Sequence, residues 1–151
     1  MTENQVVVFE VYHHTYAIPI HQVKEIIRYE EAVKLPNMPD YLEGIISLRG
    51  RVLPVVDLAR RCGFPSRDAV NRKALIVEVN GQTTGLVVDE VSSVTKLDPV
   101  QEGSVEMPVN LASSRYVRGI GRRNGALLIL LELEQLVDFA IMAKITLPEA
   151  I

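Results

Sequence analysis

The fold of this chain is decided by residues 41–63, which read YLEGIISLRGRVLPVVDLARRCG. The stretch holds two apolar runs, residues 42–48 and 52–56, whose length and richness in Ile, Val and Leu favour strands over a helix. Between them, Arg49-Gly50-Arg51 predicts a hairpin turn. Asp57 suits the N-cap of a short helix that Gly63 would end. The stretch therefore predicts strand, turn, strand and helix.

The turn itself contains an unexpected residue. A tight hairpin turn needs positive φ, which Gly50 adopts easily and a bulky arginine does not. An offset of 75 residues aligns Arg49-Gly50 with Asn124-Gly125, and Asn-Gly is the strongest short hairpin signal. We interpret Arg49 as retained for contact rather than for folding. A relaxed loop with a solvated Arg49 is the alternative.

The same alignment belongs to an internal repeat. An offset of 68 aligns residues 8–11 with 76–79, and the offset of 75 also aligns Tyr41 with Tyr116. Two copies made of short strands and turns predict two small barrels, since a solenoid needs three or more units. We predict an all-β fold with two pseudo-equivalent subdomains that share an apolar interface.

The two ends of the chain add a hairpin and a helix. Residues 6–11 and 16–20 predict the hairpin, with His13-His14 in its turn and Pro19 implying an edge strand. A helix that covers one barrel end is predicted by the apolar stripe Leu133, Leu136, Val137, Ala140 and Ile141.

Composition limits the classes of function. The 151 residues are 48% hydrophobic and 23% charged, with no apolar run of the roughly 18 residues that a membrane span needs and no signal peptide. This predicts a cytoplasmic protein whose lone Cys62 is a buried, inert thiol. A net charge of −3 disfavours nucleic-acid binding, which needs a concentrated basic face.

No motif indicates catalysis, a metal or a cofactor. His13 and His14 are adjacent, so on an extended backbone they point to opposite faces and cannot chelate one ion. Residues 119–125 resemble a phosphate loop, but the hairpin repeat explains them. Asp57 and Glu132 are better explained as helix N-caps than as a catalytic pair. We expect no enzyme activity and no cofactor.

Residues 44–58, GIISLRGRVLPVVDL, resemble the CheW family, the coupling proteins of bacterial chemotaxis, whose hallmark is G-x-x-N-L-R-G-x-x-x-P-V-x-D-L. The resemblance extends to residues 23–26, which match the family's V-x-E-I, and to residues 85–91 in the second copy. It covers nearly the whole chain. Ser47 departs from the family's usual Asn, so its local hydrogen bonding differs.

The resemblance implies a fold and a domain organisation. We expect two intertwined five-stranded SH3-like barrels within one CheW-like domain over residues 1–151, with short helices. Subdomain 1 would span roughly residues 15–70 and subdomain 2 roughly residues 74–144. An exchange of strands between the two stays open.

The resemblance also implies a function. A CheW-like adaptor joins the cytoplasmic signalling tips of chemoreceptors, the methyl-accepting chemotaxis proteins, to the histidine kinase CheA, whose regulatory domain shares the fold. By motif match, the receptor contact falls to Val23, Glu25, Gly44 and Arg49. The protein would be recruited to membrane-associated receptor arrays without inserting into the membrane.

The kinase surface is expected in the second copy, around Val91 and Leu97. Two alternatives stay open at this stage. One is an adaptor of a related chemosensory array that controls pili or development. The other is a small ligand-binding barrel, for which the sequence offers no polar pocket.

Overall fold

The computed structural model describes residues 5–65, 71–97 and 116–137. These residues hold ten strands and short helices: β1 Gln5–Val11, β2 His14–Pro19, β3 Val23–Arg28, β4 Leu42–Leu48, β5 Arg51–Asp57, β6 Lys73–Val79, β7 Gln82–Val88, β8 Glu90–Lys96, β9 Val117–Arg123, β10 Ala126–Leu131, α1 Leu58–Arg61, α2 Leu133–Leu136 and a 3₁₀ turn Ile20–Gln22. The predicted all-β class is confirmed.

The strands form two five-stranded sheets. Sheet A has the order β8-β1-β2-β10-β9, and sheet B has the order β3-β6-β7-β5-β4. The pairs β2–β10 and β5–β7 are parallel, and the other neighbours are antiparallel. No ladder between the described strands joins the two edges of either sheet, so each is a sheet of five strands rather than a hydrogen-bonded closed barrel.

The repeat is visible in this topology. β1 and β6, which the offset of 68 aligns, both take the second place in their sheets, and every other aligned pair also takes equivalent places. The hairpin β1–β2 joins sheet A and the hairpin β6–β7 joins sheet B, so each sheet combines strands from both copies. The predicted subdomain boundaries near residues 15–70 and 74–144 stay a prediction.

Alternating faces of the strands build three apolar clusters. The largest lies between the sheets, where Phe9 and Ile18 of sheet A and Leu75 and Leu86 of sheet B are fully buried. A second cluster, Val6, Val8, Ala17 and Leu128, packs on the other face of sheet A. A third cluster, Leu53, Ala74 and Ile76, packs on the other face of sheet B. Strands buried on both faces read as continuous apolar runs, which is the pattern of β1 and β6.

Four hairpin turns share one backbone conformation, with positive φ at both central residues. Their φ values are 49° and 66° at Tyr12 and His13, 51° and 78° at Arg49 and Gly50, 51° and 80° at Asn80 and Gly81, and 49° and 82° at Asn124 and Gly125. The predicted turn at Arg49-Gly50 is confirmed, although Arg51 already begins β5. The prediction of a turn at His13-His14 is wrong by one residue, because His14 begins β2.

The prediction that Pro19 marks an edge strand is wrong. β2 lies between β1 and β10. Its ladder with β10 involves only Tyr16 and Ala17, whereas Pro19 ends the strand opposite Val6. The parallel ladder between β2 and β10 ends before Pro19, so no hydrogen bond of that ladder needs the N–H that proline lacks.

The two helix starts differ. Asp57 caps α1 as predicted, since its Oδ1 accepts a hydrogen bond of 3.1 Å from the Ala59 amide, and Gly63 follows the helix with φ 89°. Glu132 precedes α2 without a side-chain capping bond, so its predicted capping role is wrong. Its carboxyl instead hydrogen-bonds to Glu134, which raises the pKa of Glu132.

The remainder of the predicted C-terminal stripe, Ala140 and Ile141, lies outside the described residues. Leu133, Leu136 and Val137 are buried against the central cluster. Across residues 5–65, 71–97 and 116–137, no helix has the length and apolar character needed to span a membrane.

Candidate functional site

The structure brings together two of the residues predicted for receptor binding. Glu25 lies on β3, one edge of sheet B, and Arg49 lies in the turn that joins β4, the other edge, to β5. Arg49 Nη1 donates to Glu25 Oε2 at 2.7 Å. The Arg49 side chain remains 75% exposed, so the pair sits at the surface with its guanidinium open to a further acceptor.

This ion pair does not explain why Arg49 is present. A non-glycine residue at positive φ costs about 1 kcal/mol or more, and an exposed ion pair contributes about 0–1 kcal/mol. The pair therefore offsets the strain at best. The alternative of a relaxed loop is wrong, because Arg49 has φ 51°, and the contact role of its side chain stays a prediction.

Val23 and Gly44 have different surroundings. Val23 begins β3, is partly buried against the central cluster and pairs with Val77. Gly44 has φ 139°, and a Cβ added there would lie 2.0 Å from the Val33 carbonyl oxygen. Val33 and Ile45 exchange two backbone hydrogen bonds of 2.9 Å beside it. Gly44 thus leaves room for the chain at Val33 to pair with the edge of β4 in an antiparallel bridge.

The two residues predicted for kinase binding lie on opposite faces of sheet A. Val91 on β8 is paired with Phe9 and packs against the central cluster. Leu97 follows β8, packs against the second cluster and covers Gly121, where an added Cβ would lie 2.9 Å from its Cδ2. Both side chains are partly buried, and they form no common exposed patch.

Exposed apolar side chains reveal positions that sequence reasoning missed. Among the described residues the exposed large hydrophobic side chains are Ile26 (41%), Val33 (66%), Val52 (53%), Val94 (49%) and Leu127 (54%). Ile26 aligns with Val94 at the offset of 68, and Val52 aligns with Leu127 at the offset of 75. We name Ile26 and Val52 the sheet B pair, and Val94 and Leu127 the sheet A pair.

The signal for these pairs was present in the repeat. In β3 and β8 every second residue is exposed to solvent. Both copies have an apolar residue at one of these exposed positions. A search for apolar residues shared by both copies at outward positions could have found them. Ser47, where the resemblance expects Asn, is an exposed residue of β4 opposite Val52 in the sheet B pair.

The free thiol and the potential metal ligands were the remaining chemical features to locate. Burial raises the pKa of Cys62 to about 11, so the thiol stays protonated at neutral pH and is a poor nucleophile. Within the part of the chain that the structure describes, no three His, Cys, Asp or Glu side chains are placed to hold a metal ion.

Comparison with known proteins gives a consistent result. The family model described as CheW-like domain matches residues 5–140. The chain is 33% identical over 136 residues to the probable chemotaxis protein CheW of Rhizobium etli, covering 89% of this chain and 87% of that protein. It is 31% identical over 142 residues to the chemotaxis protein CheW of Klebsiella aerogenes, covering 91% and 84%.

A solved structure is also similar. The crystal structure of the scaffolding protein TtCheW from Thermoanaerobacter tengcongensis superposes with a TM-score of 0.76 at 33% sequence identity, covering 89% of this chain and 88% of that one. The similarity therefore includes the arrangement of the two sheets as well as the sequence motifs.

Proposed function

Because this chain belongs to the CheW-like domain family, we propose that it is a non-catalytic adaptor that couples chemoreceptors to the histidine kinase CheA. The observation that carries the proposal is the recurrence of exposed apolar residues at equivalent positions of the two sheets. A scaffold that holds two proteins at once needs two separate surfaces, and the exposed apolar residues on each sheet support this.

Isolated exposed apolar residues are ordinary on a protein surface. Here the described residues expose five large hydrophobic side chains, and the repeat aligns four of them, Ile26 with Val94 and Val52 with Leu127. Folding does not require apolar side chains at exposed positions, so their presence in both copies supports a role in binding. Burying such a side chain in a contact contributes about 1 kcal/mol or more.

The receptor surface is proposed on sheet B. Ile26 and Glu25 are neighbours on the edge strand β3 and point to its opposite faces, so the proposed surface is the exposed edge of sheet B, where Arg49 binds Glu25. Val23 continues the strand into the central cluster. The exposed guanidinium of Arg49 can donate to carboxylate or carbonyl groups of a receptor tip while it remains near Glu25. Gly44 contributes by shaping β4 rather than by side-chain contact.

The kinase surface is proposed on sheet A. The exposed Val94 and Leu127 would make the contact, with Val91 and Leu97 beneath the surface as partly buried support. Val91→Glu and Leu97→Glu should weaken kinase binding more than receptor binding. Because both side chains also pack internally, these two variants should lose stability as well.

The test is co-sedimentation of the purified protein with receptor signalling tips and with CheA. The matched variants are Ile26→Glu and Val94→Glu, which place the same charge at equivalent exposed positions. We expect Ile26→Glu to weaken receptor binding and Val94→Glu to weaken kinase binding, each by about tenfold. Both variants should keep the thermal midpoint of the unaltered chain.

Two results would contradict the proposal. One is an unaltered protein that binds neither receptor tips nor the kinase. The other is an equal loss of both partners in both variants, since the two sheets would then not present separate surfaces. Binding to the kinase of another chemosensory array, and not to CheA, would favour the alternative adaptor.

A further inference from the structure

One arginine spans the two halves of the molecule. Arg61 ends α1, which follows β5 of sheet B. Its Nε donates to the Leu136 carbonyl oxygen at 2.7 Å, Nη1 donates to Tyr116 Oη at 2.7 Å, and Nη2 donates to the Gln135 carbonyl oxygen at 3.3 Å. All three acceptors belong to the segments that flank β9 and β10 of sheet A.

The guanidinium is also enclosed by aromatic rings. Its Cζ lies 4.7 Å from the ring centroid of Tyr41 and 4.8 Å from that of Tyr116. These two tyrosines are aligned by the repeat, so one comes from each copy. A cation between two ring faces is attracted by both, and partial burial strengthens the attraction.

The two copies differ at the Arg61 position, although the strands around it are arranged equivalently in the two sheets. The offset of 75 aligns Arg61 with Leu136, which is fully buried. Arg61 therefore bonds to the backbone of its own counterpart. Two arginines could not share this position without repulsion between like charges, so one copy supplies the cation and the other supplies carbonyl oxygens and an apolar side chain.

Its contacts differ in kind from the apolar core between the sheets, as does the hydrogen bond of 3.2 Å from Gln22 Nε2 to Glu134 Oε1. The central cluster is apolar, and apolar packing has little directional preference. The Arg61 guanidinium is planar with donors in a fixed geometry, so three hydrogen bonds define an orientation as well as a distance. Arg61 restrains how α1 and α2, and with them the two sheets, are oriented.

We propose that Arg61 is the positioning residue that fixes the orientation of sheet B relative to sheet A, so that both partners can be held at the same time. The inference rests on the proposed function, because it assigns the sheet B pair and the sheet A pair to different partners. It predicts that a variant without the Arg61 fork still binds each partner alone but binds both partners together less well.

The test measures orientation and binding in the same variants. Spin labels are attached at Arg28→Cys on β3 and Lys96→Cys on β8, two exposed positions that the repeat aligns, in a Cys62→Ala background. Arg61→Lys keeps the charge and removes the fork. Arg60→Lys is the matched control, since Arg60 is on the same helix and donates to the Asp40 carbonyl within the first copy.

We expect one narrow distance distribution for the parent and for Arg60→Lys, and a broadened or shifted one for Arg61→Lys. Binding of receptor tips alone and of CheA alone should stay within about twofold, while recovery of the three-component complex falls about fivefold or more. Arg60→Lys should leave all three binding measurements unchanged.

An Arg61→Lys distribution that superposes on the parent would overturn the proposal, as would an undiminished three-component complex. If circular dichroism shows that Arg61→Lys is unfolded, the same distance measurement is made on Tyr116→Phe, which removes one acceptor of the fork. A broadened distribution in that variant supports the proposal, and an unchanged distribution overturns it. If the unaltered chain binds neither partner, the proposed function fails, and the distance measurement still decides whether Arg61 fixes the orientation.

Discussion

The two copies of the repeat build equivalent strands with different turns. The second copy uses Asn80-Gly81 and Asn124-Gly125, whereas the first copy uses Tyr12-His13 and Arg49-Gly50. All four turns have nearly the same positive φ. Asn-Gly adopts this conformation with little strain, and bulky side chains do not. The turns of the second copy therefore hold the residues that folding alone favours. The turns of the first copy hold bulky residues that folding does not explain.

The copies also tie their sheet edges differently. Glu25 and Ser93 are aligned by the repeat, and each accepts from an arginine of the opposite edge. In sheet B the donor is Arg49, in the turn after β4, and in sheet A it is Arg123 Nη1, which lies 2.9 Å from Ser93 Oγ. The ion pair that joins two sheet edges thus lies on sheet B, the half proposed for the receptor.

The largest difference between the copies is expected at a pair of glycines. Gly44 aligns with Gly119, but an added Cβ meets the Val33 carbonyl oxygen at 2.0 Å in the first case and nothing within 4 Å in the second. Gly44→Ala should lower the free energy of unfolding by about 3 kcal/mol or more. Gly119→Ala should change it by less than about 1 kcal/mol. Urea denaturation of both variants checks this.

Similar losses in the two glycine variants would mean that the bridge between Val33 and Ile45 does not constrain β4. The comparison would then give no reason to separate Gly44, as a shaping residue, from the contact made by Arg49.

A smaller effect is expected when the second copy receives the turn of the first. Asn124→Arg places a bulky side chain at φ 49° opposite a serine rather than a glutamate. Without a carboxylate partner the strain is not offset, so stability should fall by about 1 kcal/mol. The thermal midpoint measures it, with Arg122→Lys on the same hairpin as control. An unchanged midpoint would show that arginine is not strained in this turn.

The smallest effect concerns the residue after α1, which is Cys62 in the first copy and aligns with Val137 in the second. Burial raises the pKa of Cys62 from 9.0 to about 11, so the folded state holds this proton more tightly than the unfolded state. The resulting stability is complete below pH 9 and is lost as the pH rises towards 11.

The free energy of unfolding of Cys62→Val should therefore fall less between pH 9 and about 11 than that of the unaltered chain. Denaturation midpoints at several pH values test it, and the same slope in both proteins would contradict the raised pKa.

Local features of the fold could be predicted from the sequence, and long-range ones could not. The hairpin of β4 and β5, the Asp57 cap and the strained Arg49 follow from residues next to each other in the chain. The hairpin exchange does not, because the β2–β10 and β5–β7 ladders join distant segments. The prediction from Pro19 was wrong for the same reason. A proline can occur in an inner strand when the neighbouring ladder ends before it, and the extent of the β2–β10 ladder depends on a distant segment.

Side-chain roles followed the same division. The motif identified Glu25 and Arg49, but only the structure shows that they bind each other. The exposed pairs and the Arg61 contacts depend on which strand faces solvent and which helices meet. Repeat alignment indicates equivalence between positions, but it does not reveal their burial.

Arg49→Asn gives the first copy the turn residue of the second and separates a contact role of Arg49 from a folding role. The variant relieves the strain at φ 51° and loses an exposed ion pair, so the thermal midpoint should stay unchanged or rise slightly. Affinity for receptor tips should fall by about 1 to 3 kcal/mol, because a charged hydrogen-bond donor is lost. A large fall in the midpoint with affinity retained would show that Arg49 serves the fold and would contradict its role in receptor contact.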